Sequence, residues 1–333
     1  MAGNDVVMLT RRALLPVLAA IPIRRDYAPP EKVPRTPETR ILLGGDVMLS
    51  RFVGRLARAR GDPAFPFRDL APLLAAADLA FVNLEAPFSD RGEAREEGMV
   101  FKADPGMIAG LGLAGIDIVS TANNHARDCG GYGVEFTLDW LARHGIAAVG
   151  TGRSEEDAHA GAVLIRNGVR FGFLAYTFDQ TNGIHTDLDP RVAGIHVATL
   201  RRDMAGLLER ADVAIVSMHA GVEYAARPNR QQIEFARAAV DAGARVVVGH
   251  HPHVVQPWER IGQSVVFYSL GNLVFDQFQR VETQRGALAE IVFAGKSMVR
   301  AGLLPVDIVG TVPRLAVATP ASASGGLAAR GEG

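Results

Sequence analysis
The chain has 333 residues, 48% of them hydrophobic and 21% charged, with a formal net charge of −1. That length buries a large core, and the near-neutral balance argues against nucleic acid or an anionic membrane surface as a partner, since both depend on a strong global field. Cys129 is the only cysteine, which excludes an intramolecular disulfide, a cysteine-built zinc site and a lipid-bearing cysteine near the N-terminus.

Residues 1–39 differ in character from the rest of the chain. Thr10-Arg11-Arg12 leads into an apolar run ending at Ile23, and Pro29, Pro30, Pro34 and Pro37 come next. This is the pattern of a twin-arginine export signal and a Pro-rich linker, with an apolar run too short to span a bilayer. It places the protein outside the cytoplasm or in the cell envelope. No small-x-small cleavage site follows Ile23, so a cytoplasmic protein with an N-terminal extension is the alternative.

From Arg40 the chain alternates short apolar runs with amphipathic segments. Strands are expected at 41–44, 79–82, 116–120, 147–149, 213–218 and 246–248, and helices at 70–77, 134–144, 200–211 and 231–242. Asn167-Gly168 between apolar runs 163–166 and 169–176 predicts a β-hairpin. Residues 265–317 carry several more strand-like runs and little helical periodicity. The fold class is therefore α/β with mixed sheets, in a main domain over 40–319. The Ala/Gly/Ser-rich residues 320–333 have the composition of a disordered tail.

Polar residues collect where the strands end. Asp46 follows the first strand, Asn83 and Glu85 the second, and Asn123, Asn124 and His125 the third; His219 follows 213–218, and His250, His251 and His253 follow 246–249. Ligands of open α/β sheets bind beyond strand carboxyl ends, so separate ends offering oxygen and imidazole donors can converge. The crowd of histidines in V-V-G-H-H-P-H, with Pro252 bending the chain between His251 and His253, points to metal chemistry. Singly, Asp46 also reads as a turn or N-cap residue, Asn123 and Asn124 as turn formers, and His219 as a core histidine.

The motifs G-D-V-M-L-S-R (45–51), N-L-E (83–85), A-N-N-H-A (122–126), M-H-A-G-V-E-Y (218–224), G-H-H-P-H-V-V-Q-P (249–257) and S-L-G-N-L-V-F-D (269–276) resemble the CapA family of poly-γ-glutamate capsule synthesis proteins. That family is similar in fold to calcineurin-like metallophosphatases. The resemblance, not the periodicity, implies a layered β-sandwich flanked by helices with a dinuclear metal site. Carried over, it implies Glu85 bridging two divalent cations, with Asp46 and His253 on one and Asn124, His219 and His251 on the other. His125 would be the acid or electrostatic donor. The mixture of oxygen and imidazole donors suits Mn, Fe or Zn. Two departures from the broader phosphatase pattern stand out. Met48 replaces the histidine of Asp-x-His, and Glu85 replaces an aspartate, so one cation site is expected to be weak, completed by water or empty.

Arg51, Glu223 and Asn272 lie in the same motifs and are the candidates for substrate binding; Tyr224, Arg227 and Asp276 are lesser ones. Gly110, Gly112 and Gly115 spell a dinucleotide fingerprint but precede a strand instead of following one, and no Walker A, H-E-x-x-H or G-x-S-x-G sequence is present. Two functions remain. One is a metal-dependent hydrolase acting on a phosphoester or on an anionic polymer such as poly-γ-glutamate. The other is a non-catalytic component that binds or anchors that polymer beside capsule-synthesis membrane proteins.

Overall fold
The computed structural model describes residues 36–92, 99–178 and 188–316. The export-like segment and most of the linker, and the expected disordered tail, lie outside the described residues. In chain order the strands are β1 (Glu38–Val47), β2 (Leu79–Leu84), β3 (Ile118–Ser120), β4 (Ala147–Val149), β5 (Ala162–Arg166), β6 (Val169–Thr177) and β7 (Val213–His219). They continue with β8 (Val246–His250), β9 (Trp258–Ile261), β10 (Ser264–Phe267), β11 (Asn272–Val274), β12 (Arg285–Ala294), β13 (Ser297–Val309) and β14 (Val312–Leu315). The helices are α1 (Arg51–Ala59), α2 (Ala71–Ala75), α3 (Ile108–Leu113), α4 (Gly130–Arg143), α5 (Glu155–His159), α6 (Val197–Leu208) and α7 (Arg230–Asp241).

The central strands are apolar on both faces, which demands cover on both. Two sheets supply half of it to each other. One runs β14-β13-β12-β1-β2-β3-β4 with β11 beside the end of β1, and the other runs β5-β6-β7-β8-β10-β9. Alternate residues divide between layers. Ile41, Leu43, Phe81 and Ile118 of the first sheet meet Phe171, Phe173, Ile215, Val248 and Phe267 of the second in a shared core. Leu42, Val82 and Leu84 turn outward onto Phe67, Leu74 and Leu141. Val216 and Met218 turn outward onto Leu200, Met204 and Phe235 of α6 and α7. The chain thus forms the sandwich of mixed sheets flanked by helices that the resemblance implied.

β1 to β4 are mutually parallel, as are β6, β7, β8 and β10; antiparallel pairing is confined to β5, β9 and the β12–β14 meander. The expected hairpin is β5–β6, with Asn167 and Gly168 both left-handed at φ 49° and 78°, as a twist-matched two-residue turn requires. Three short helices were not expected, α1, α3 and α5. α1 carries three arginines, buries only Val53, Gly54 and Ala57, and so has a narrow apolar face. α5 has five residues, and its Ser154 cap accepts from the Asp157 N–H, a signal too brief to separate from a turn. No helix among the described residues is long and apolar enough to cross a membrane.

Candidate metal centre
The parallel strands deliver their carboxyl ends to one place. Asp46 near the end of β1 lies in register with Asn83 of β2 on one side and Asn272 of β11 on the other. Two glycines permit the crowding: a Cβ on Gly45 would fall 1.9 Å from the Gly271 carbonyl oxygen, and one on Gly249 1.9 Å from that of Tyr268. The loop after β8 turns sharply at Pro252, with His251 and His253 both left-handed at φ 94° and 59°. Non-glycine residues hold this conformation only where the surroundings enforce it. Here the His251 N–H donates to Asp46 Oδ2 at 3.3 Å.

Asp46, Glu85 and His253 are all buried, and each offers a ligand atom within 4.8 Å of the others. Beside them His219 Nε2 meets Asn124 Oδ1 at 2.9 Å, and the His219 and His251 rings are 4.9 Å apart. Asn83 joins the halves, its amide nitrogen donating to Asp46 Oδ1 at 2.8 Å and lying 3.3 Å from His219 Nδ1. The structure therefore brings Asp46, Glu85, Asn124, His219, His251 and His253 together. His250 joins them, fully buried, with Nδ1 3.4 Å from Asp46 Oδ1 and no hydrogen bond at either ring nitrogen.

The electrostatics favour cation ligands. Burial alone would raise Asp46, but His250 and His253 outweigh it and hold the carboxyl well below its usual range. Burial, then the neighbouring Asp46 and Glu223, push Glu85 well above its usual range. Burial, then His251, hold His219 well below the normal imidazole value, and burial, then His253, bring His251 down to about 4. Neutral imidazoles are the form that binds a metal. Both carboxylate oxygens of Glu85 are buried without a hydrogen-bond partner. A buried carboxyl group left so costs several kcal/mol, roughly, unless a cation answers it. On this observation the donor set fits divalent cations of the Mn, Fe or Zn kind. Met48 is turned away into the helix-side core, its sulfur accepting from Ser50, so it adds nothing to the centre.

A cavity of about 350 Å³ opens over the group, walled by Arg51, Phe101, His125, Glu223, Tyr224 and His253 together with Gln277. His125 Nδ1 lies 2.8 Å from Asp128 Oδ2, and its ring stacks on Phe101 at 3.8 Å between centroids. The Phe101 N–H also donates to Asp128 Oδ2, at 2.5 Å. Arg51 is ion-paired to Asp276 and lies over the Phe101 ring at 4.6 Å.

Asn272 differs from its expected substrate-binding role. It is fully buried, its Oδ1 faces His253 Nδ1 at 2.9 Å, and its amide donates to Gln277 Oε1 and the Thr283 carbonyl. It sets the plane of a ring instead of meeting a ligand. Asp128 and Phe101 were missed in the sequence. Asp128 stands three residues after His125 and had a readable spacing; Phe101 had none.

Fold and geometry define a layered α/β protein with a buried carboxylate–imidazole centre at the converging strand ends. The chain belongs to the family of bacterial capsule synthesis proteins PGA_cap, whose family model matches residues 40–277. It is 31% identical over 273 residues to the PGA biosynthesis protein CapA of Bacillus subtilis (strain 168), covering 81% of this chain and 71% of that one. It is 30% identical over 279 residues to the capsule biosynthesis protein CapA of Bacillus anthracis, covering 79% and 68%. A solved structure of a hypothetical protein from Thermus thermophilus shares the fold at TM-score 0.52 and 19% identity, over 81% of this chain and 99% of that chain.

Proposed function
We propose that this protein is a metal-dependent hydrolase of the cell envelope that cuts an amide or phosphoester bond in an anionic substrate, within the synthesis of a polymer like poly-γ-glutamate. The single observation that carries the reading is the Glu85 carboxyl group, buried between Asp46 and the histidines without a hydrogen bond to either oxygen. Glu85, Asp46 and His253 would hold one divalent cation, and Asn124, His219 and His251, with Glu85 shared, a second. When bound, such a pair supplies Lewis-acid polarisation of the scissile group and a water of lowered pKa. The twin-arginine-like N-terminus and the relatives' printed roles in capsule and PGA synthesis support the setting.

The chain's own residues orient the chemistry. Asp128 accepts from His125 Nδ1, which leaves Nε2 as the nitrogen available to the cavity, and Phe101 fixes the ring by stacking. His125 is thereby placed to give a proton to a leaving oxygen or nitrogen. Arg51, braced by Asp276, positions the substrate across the cavity. Asn272 and Asn83 keep His253 and Asp46 in their orientations.

One observation favours the second reading, a polymer-binding component without turnover. Met48, turned into the core, leaves the centre one imidazole short of the broader phosphatase pattern. Metal analysis of the protein purified without chelator, followed by assays on bis(p-nitrophenyl) phosphate and γ-glutamyl oligomers, separates the two. Bound cations with turnover that vanishes in Glu85→Gln and His125→Ala support the hydrolase. Oligomer binding without turnover supports the binding component, and absence of metal overturns the hydrolase.

A further inference from the structure
Around the cavity, charge is distributed against the substrate the family's printed roles favour. With Asp46 and Glu85 answered by the cations they would hold, Asp128, Glu223 and Asp276 are the carboxylates left around the cavity, and the arginine on its wall, Arg51, is ion-paired to Asp276. A polymer with a carboxylate on every residue can engage only one or two of them at such a centre, and its neighbouring carboxylates are better held if they find cations outside.

The rim offers one. Arg280 is exposed, and its guanidinium lies over the Tyr224 ring, 4.7 Å from the centroid. It makes no ion pair among the described residues. Tyr224 in turn lies 6.3 Å, ring to ring, from His253. Its left-handed backbone, at φ 64°, is fixed by its N–H donating to the Pro252 carbonyl at 2.8 Å. The loop that carries Arg280 is braced from beneath. The hydroxyl of buried Thr283 lies 2.7 and 2.9 Å from the carbonyls of Gln277 and Arg280 and shares its one hydrogen between them, and Asn272 ties the Gln277 side chain and the Thr283 carbonyl to His253. A guanidinium stacked on an aromatic face keeps its N–H edge available for a carboxylate, and a braced loop loses little further freedom on binding.

We propose that Arg280, laid on Tyr224 at the mouth of the cavity, is a specificity residue that pairs with a pendant carboxylate of a γ-linked glutamate chain while the reacting bond lies deeper. This rests on the reading of the ligand as an anionic polymer, and it is independent of whether that polymer is cut. Lysine at this position keeps the charge but loses the planar fork.

The test is titration calorimetry on the full, metal-loaded chain with a γ-linked glutamate hexamer and the same hexamer with its pendant carboxylates converted to amides. The wild type is expected to prefer the acidic hexamer. Arg280→Ala is expected to lose about 5-fold of that preference, the scale of one exposed ion pair, and Arg280→Lys to keep part of it. Affinity for the amidated hexamer serves as the internal control for folding. An unchanged preference in Arg280→Ala overturns the proposal, as does a wild type that binds neither hexamer or both equally. Mass spectrometry of the hexamer after incubation reads the hydrolase separately: an uncut hexamer bound in an Arg280-dependent way would sink the catalytic reading and leave this one standing.

Discussion

The molecule contains two histidine–aspartate pairs of nearly identical geometry in different settings. His125 Nδ1 lies 2.8 Å from Asp128 at the converging strand ends, and His159 Nδ1 lies 2.7 Å from Asp203 between α5 and α6, outside the second sheet. Each borders a cavity, and the one at His159 is the larger, about 790 Å³ against about 350 Å³. Neither pair geometry nor cavity size distinguishes them. The neighbours do. Asp203 also accepts from the Tyr176 hydroxyl at 2.9 Å and from Arg202 at 3.0 Å, so both its oxygens are answered within the protein. Around His125 the buried oxygens of Glu85, both nitrogens of His250 and Nδ1 of His251 make no hydrogen bond. A completed polar network holds helices to a sheet, and an incomplete one marks where a ligand belongs.

Removing the key group from each region should therefore have opposite consequences. Glu85→Gln should cost metal content and lower turnover by more than about 10²-fold, because even an outer-shell partner of a metal ligand is worth about 10- to 100-fold. In metal-stripped protein the same change removes a buried carboxyl group that has no hydrogen-bond partner, with His253 Nε2 3.7 Å from Oε1, so its melting temperature should rise. A fall would mean that the contact with His253 outweighs the cost of burial. His125→Ala should leave metal content intact and lower turnover by about 10²- to 10⁴-fold, the range for loss of a general acid. Elemental analysis beside the assay separates the two variants. Asp203→Ala should leave both metal and turnover unchanged and cost about 1 to 2 kcal/mol of stability by denaturant titration, since it strips the partner from a half-buried His159. Turnover falling with Asp203→Ala would mean that the comparison misassigns the two pairs.

How much of this was legible depends on what each residue's signal looks like in one dimension. The strand ends were readable because apolar runs that stop abruptly at Asp46, Glu85, Asn124, His219 and His251 advertise both a strand and its carboxyl end. The layering was legible only through resemblance, because strands buried on both faces lose the alternation that would show which residues face the partner sheet. Asn272 misled because an asparagine after glycine reads equally as turn, ligand or brace. Its register opposite Asp46 and its bond to His253 depend on β11 crossing beside β1, a pairing of segments far apart in the chain. Phe101 was silent, and His250 was visible only as one member of a histidine cluster. Stacking on His125 and proximity to Asp46 are tertiary facts, and neither residue breaks a local pattern that would announce them.

Acid should dissect the two regions by pH. His251 is brought down to about 4 by burial and then by His253, from an unfolded value near 6.5. A depressed histidine binds its proton more readily in the unfolded chain, so stability rises with pH between those values and is lost as pH falls through them. At pH 5 the metal-free protein should have lost about 2 kcal/mol on this account relative to pH 7. Asp203 behaves differently. Burial would raise it, but His159 and Tyr176 overcome that and hold it below its usual value. Its contribution is therefore intact above an unfolded value of about 3.9 and is lost only as pH falls through the lower folded value. Metal-free wild type and Asp203→Ala should accordingly lose stability in parallel from pH 7 to 5, and their difference should narrow only below about pH 4. Cations bound to neutral imidazoles should flatten the first phase until acid displaces them, because protons compete for the same nitrogens. A first phase of equal depth with and without Mn²⁺ would mean that the titrating histidines do not hold the cation.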